Sequence, residues 1–120
     1  MKKLSPEHCQ RRDTMRDQVV AAYLHSRIRV MFTRERLDTP TNHGEADTHT
    51  LWVYINPRKR GGNLTEVIKT LIHEAIHCLE PKWVHQTVNA LERDIWDILT
   101  KWEQQHLLLW AIDNGVWRDC

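Results

Sequence analysis

The sequence predicts a single α+β domain spanning residues 1–120, with a short antiparallel or mixed sheet, a helix carrying a His-Glu-x-x-His element, and a long helical region after it. Three observations lead there. Ile28–Phe32 and Leu51–Ile55 are short and rich in β-branched and aromatic residues, as strands are. From Leu64 to Leu79 apolar residues recur every three or four positions, the period of a helix with one buried face. A length of 120 residues, 41% of them hydrophobic and 28% charged, fits one soluble core.

The elements follow in order. Ser5-Pro6-Glu7 is a helix start, with serine as N-cap and proline at the first helical position. Met15, Val19, Val20, Tyr23 and Leu24 then form an apolar stripe ending near His25. Alternation marks Ile28–Phe32 as a strand. Thr39–His49 is polar, contains a proline and a glycine, and reads as a surface loop. Leu51–Ile55 is the clearest strand, stopped by Asn56-Pro57, and Arg58–Asn63 with its Gly61-Gly62 pair reads as a turn.

The next helix has Leu64, Val67, Ile68, Leu71, Ile72, Ala75, Ile76 and Leu79 on its apolar stripe, and Pro81 ends it. Val84, Val88, Leu91, Ile95, Ile98 and Trp102 then recur in steps of four and three, predicting a further helix packed on the core. Leu107–Trp110 closes the core or forms an oligomer contact, while Asp113–Cys120 carries no clear signal. There is no internal repeat or low-complexity tract.

Composition narrows the setting. No apolar run approaches a membrane span, and Met1-Lys2-Lys3-Leu4 leads into charged residues rather than a signal-peptide core. Cys9, Cys78 and Cys120 are odd in number and far apart, which argues for a reducing, cytoplasmic compartment over a disulfide framework. Net charge is +1, but residues 1–62 hold 12 basic against 7 acidic residues and residues 63–120 hold 5 against 9. The basic clusters are Arg11-Arg12, Arg27, Arg29, Arg34, Arg36 and Arg58-Lys59-Arg60; nucleic-acid contact stays open, although scattered arginines on solvated faces give the same pattern.

The chemistry concentrates at His73-Glu74-Ala75-Ile76-His77. A four-residue offset places both imidazoles on one helix face, one turn apart, where they can share a metal ion. Both flank the apolar stripe rather than lie on it, as residues walling a cleft would. Glu74 sits beside them, positioned to take a proton from a water on the metal. Histidine is abundant, 8 of 120 residues, so the motif draws its weight from its place in an amphipathic helix. A catalytic Zn2+ takes three protein ligands and keeps one position open. The expected third ligand is His85, eight residues after His77 and beyond the Pro81 break, with Glu92 as the alternative further along the same helix; Glu80 is near but solvated. The two are expected not to bind together, lying about 10 Å apart at 1.5 Å per residue. Cys78 follows His77 and reads as a small core or rim residue rather than a soft ligand.

His73-Glu74-x-x-His77 on a helix, preceded by the strand Leu51–Ile55, resembles the active-site helix and edge strand of the zincin metallopeptidases. The wider run Thr70–His77, followed by Pro81 and a helix, resembles small phage and bacterial SprT-like metallopeptidases, with some likeness to the ImmA/IrrE type, whose third ligand is a glutamate on a later helix. The resemblance covers about residues 50–99. Small phage-type members carry an acidic residue where His85 stands, and no Gly-x-x-His follows His77 at metzincin spacing. The resemblance implies a zincin-like fold, zinc, an intracellular protein of the kind that phages and bacteria encode, and hydrolysis of a protein or peptide substrate. Glu74 would be the general base, and the strand around Trp52 and Tyr54 would align the substrate by main-chain pairing. Tyr54, His49 and nearby arginines are the candidates for stabilising an oxyanion. The competing readings are a non-catalytic zinc-binding regulatory or interaction module, and a DNA-associated SprT-like protease.

Overall fold

A computed structural model describes residues 5–33, 44–56 and 64–117. Arg34, Arg36, Arg58–Arg60, Cys120, the first part of the expected 39–49 loop and the 58–63 turn lie outside the described residues. Among the described residues the architecture is α+β, with four helices and a small mixed sheet of four strands.

Helix α1 spans Pro6–Leu24. Ser5 caps it as its sequence requires, its Oγ accepting the His8 N–H at 3.2 Å. The helix ends where Ser26 adopts a left-handed φ of 55° and the Arg27 N–H turns back to the Ala22 carbonyl at 2.9 Å. Strand β1 (Arg29–Phe32) follows, then β2 (Gly44–Asp47) and β3 (Trp52–Ile55). The last three helices are α2 (Leu64–Leu79), α3 (His85–Ile98) and α4 (Lys101–Asn114), and β4 (Val116–Trp117) closes the described chain.

The sheet order is β2-β3-β1-β4. β1 pairs in parallel with β3 (Val30 opposite Val53) and with β4 (Met31 opposite Val116), while β2 pairs antiparallel with β3 (Ala46 opposite Val53). This corrects two expectations. The Leu51–Ile55 strand is not an edge: β3 has a partner on either side, and Val53, Tyr54 and Ile55 are buried in succession. A continuous apolar run marks a strand covered on both faces, and Leu51–Ile55 is such a run. Part of the expected loop is a strand as well. Gly44-Glu45-Ala46-Asp47 has little β propensity of its own and is held by pairing with β3.

Helix α2 is the centre of the molecule, contacting β2 and β3 on one side and α1, α3 and α4 elsewhere. Val67, Ile68, Leu71, Ile72, Ala75 and Ile76 of its apolar stripe form the core with Val19, Tyr23, Ile28, Val30, Val88, Leu91 and Ile95, and Leu79 packs against it, but Leu64, at the start of the helix, is exposed. Tyr23 fastens α1 to α2, its buried hydroxyl donating to the Leu71 carbonyl, and its ring meets Trp110 of α4 at 5.3 Å between centroids. The expected long helix after Pro81 divides at Leu99-Thr100. Thr100 accepts the Glu103 N–H (3.1 Å) and Glu103 accepts the Thr100 N–H (3.0 Å), a reciprocal cap that starts a new helix. Of the two ends of the repeat, Val84 caps α3 and Trp102 falls on the new helix, and both are exposed. Leu107 is buried and Leu108 and Trp110 pack on the core, whereas Leu109 is exposed. The tail contributes more than its sequence suggested: Trp117 stacks on Phe32 at 4.2 Å.

Candidate metal centre

Three side chains from two helices meet beside the Pro81 turn. His73 and His77 project from α2 one turn apart, and His85 opens α3. The reversal between them is short, with the Trp83 N–H bonded to the Glu80 carbonyl at 3.1 Å. Val88, Leu91 and Ile95 hold the buried side of α3 against the core, so His85 and Glu92, three residues before and four after Val88, share its adjoining flank.

The Nε2 atoms of His73 and His77 are 3.1 Å apart. Ring centroids of His73 lie 4.8 Å from those of both His77 and His85, and His77 and His85 are 5.6 Å apart. One nitrogen from each of the three rings falls within a set no more than 4.8 Å across. Ligand nitrogens about a tetrahedral ion with bonds of roughly 2.0–2.1 Å sit roughly 3.4 Å apart. His73 and His77 come close to that spacing, and His85 is the exposed member of the three. Burial and the nearby His73 and His85 push the His77 imidazole down to about 4, so at neutral pH it keeps a free lone pair. The donor set therefore suits a divalent ion of borderline softness.

Glu74 is 6% exposed, with its Oε1 3.9 Å from His73 Nε2. Desolvation raises its carboxyl to about 7; His73 opposes the rise, while Glu45 of β2 and Glu92 of α3 add to it. A carboxyl balanced near neutrality can both take up and give back a proton. The sheet causes that burial. Gly44 leaves a gap into which Thr70 and Glu74 of α2 fit, and a Cβ there would lie 3.4 Å from Glu74 Cγ.

Glu92 is not in the cluster of three nitrogens, yet it touches it. Its Oε1 lies 2.9 Å from His73 Nδ1. Its contact lies outside the three nitrogens that His73, His77 and His85 bring together. Cys78 is buried in the core at 6% exposure, and its thiol is pushed up to about 12 chiefly by burial. Tyr54 is buried in the sheet beside Trp52, and His49 is exposed on the β2–β3 turn. Two contributors escaped the sequence reading: Glu45, because its strand had no periodic signal, and Gly44, whose role is a space that only packing defines.

Among the described residues, no helix is long and apolar enough to cross a membrane. Comparison of the chain with protein-family models, with curated proteins and with solved structures finds no match.

Proposed function

We propose that this chain is a zincin-like, zinc-dependent peptidase in which His73, His77 and His85 hold the ion and Glu74 is the general base. One observation carries the reading: three imidazole nitrogens converge within 4.8 Å beside a buried carboxyl raised to about 7. Zinc bound there supplies Lewis acidity, polarising a carbonyl and acidifying a water. Glu74 accepts the proton of the attacking water, holds it in a site shielded by β2, and returns it to the leaving amine.

Substrate alignment moves from the Trp52–Tyr54 strand to β2. β2 packs closely on the helix that carries Glu74, so an extended peptide lying along it would pass the candidate general base.

The test compares wild type with Glu74→Gln. Elemental analysis should give about one zinc per chain in both, and a quenched-peptide library should be cut only by the wild type. Zinc in both with cleavage by neither leaves the non-catalytic zinc module. No zinc in the wild type ends the proposal.

A further inference from the structure

The contacts between α2 and α3 form a ladder in which the helices run in opposite directions. Lys69 lies over the Trp96 ring at 5.2 Å, His73 meets Glu92 at 2.9 Å, and His77 faces His85 at 5.6 Å between ring centroids. Each step along α2 is four residues, one turn, so all three side chains sit on one flank. The middle rung joins a histidine to a carboxylate through the nitrogen that turns away from the cluster.

We infer that Glu92 is a positioning residue for His73, holding its imidazole as the Nδ1–H tautomer so that the Nε2 lone pair points into the three-histidine cluster. This rests on the metal-centre reading for its consequence, but not for its geometry. A carboxylate only accepts, so His73 Nδ1 must carry the proton that Glu92 Oε1 receives. In a neutral ring Nε2 is then bare, and Nε2 is the atom found 3.1 Å from His77 Nε2. Both partners are largely enclosed, with side-chain exposures of 12% for His73 and 23% for Glu92, so water competes poorly for the bond. Carboxylate support of a metal-binding imidazole fixes ring and tautomer and strengthens the ligand; its removal typically costs 10–100-fold in metal affinity. The register of α3 would thus be sensed twice: by His85 on the metal side of the site and by Glu92 from behind His73.

The experiment uses the full chain. Long-range proton–nitrogen correlation spectra of the zinc-free protein, with ring signals assigned through His73→Gln, report the His73 tautomer directly. Competition with a chromogenic chelator measures zinc affinity. Wild type should show the Nδ1–H form. Glu92→Gln should retain it, because the amide oxygen still accepts, and should lose less than about tenfold in affinity. Glu92→Ala should mix the tautomers and weaken zinc by about 10–100-fold. An unchanged tautomer in Glu92→Ala overturns the inference. Loss of zinc in both Glu92 variants as severe as in His85→Ala also overturns it, by making Glu92 a ligand. A wild type that shows the tautomer shift on Glu92→Ala but binds no zinc upholds the positioning contact and defeats the peptidase proposal instead.

Discussion

Gly44 and Thr70 meet where strand β2 crosses helix α2: a Cβ at Gly44 would lie 2.5 Å from Thr70 Cγ2 and 3.0 Å from the Tyr54 carbonyl oxygen. Neither neighbour gives way easily. Thr70 is tied by its hydroxyl, which donates to the Glu66 carbonyl at 2.7 Å, and the Tyr54 oxygen belongs to the main chain of β3.

Gly44→Ala should therefore destabilise the fold by about 1–3 kcal/mol, the usual cost of forcing an added methyl into a packed site. Urea denaturation followed by circular dichroism measures it. Adding Thr70→Ser, which removes the colliding methyl and keeps the hydroxyl, should restore part of the loss. An alanine variant as stable as wild type would mean that β2 does not sit this closely on α2.

The β2–β3 turn should be acid-sensitive. Asp47 accepts the N–H groups of His49 at 3.0 Å and Thr50 at 3.2 Å, and these bonds hold its carboxyl below the ordinary aspartate value of 3.8, the Thr50 bond most of all. Because the folded value is depressed, its contribution is complete above the unfolded value and is lost as pH falls through the folded one. The stability gap between wild type and Asp47→Ala should be steady at neutral pH and shrink below about 3.8, as the carboxyl protonates. A gap that is the same at neutral and acid pH would remove the carboxylate from the turn.

Zinc should stabilise the protein through the three histidines. A ligand that binds only the folded state at a hundred times its Kd adds about 2.7 kcal/mol, so thermal unfolding should shift upward with zinc and return with chelator. His85→Ala should lose at least about a hundredfold in zinc affinity, beyond the range of a supporting contact. If His85→Ala keeps wild-type affinity, the third ligand is not at the start of α3.

Cys78 should behave as a core residue. Its thiol is buried and pushed up to about 12, so little of the reactive thiolate forms at neutral pH. In the native protein iodoacetamide should label the partly exposed Cys9 well before Cys78, and denaturant should abolish the difference. Cys78→Ala should bind zinc as wild type does; loss of the metal would make the sulfur a ligand.

Much of the local structure was legible in the sequence because short-range rules govern it. Ser5-Pro6 starts α1, the apolar spacing from Val67 to Ile76 names the buried face of α2, and the offset between His73 and His77 sets two imidazoles on one flank. Pro81 separates α2 from α3. The break at Thr100 was also encoded, in the Thr-x-x-Glu cap, but the repeat running from Val84 to Trp102 masked it. Tertiary structure alone decided the rest. A strand's alternation is the same whichever neighbour it pairs with, so the place of β3 between β1 and β2 depends on contacts distant in sequence. The polar strand Gly44–Asp47 exists because β3 offers it a ladder. Glu92 could be put on the right flank of α3 by counting residues, but which nitrogen of His73 it meets depends on how α3 lies against α2. Periodicity fixes which face a side chain occupies; only packing between elements brings two faces to within a hydrogen bond.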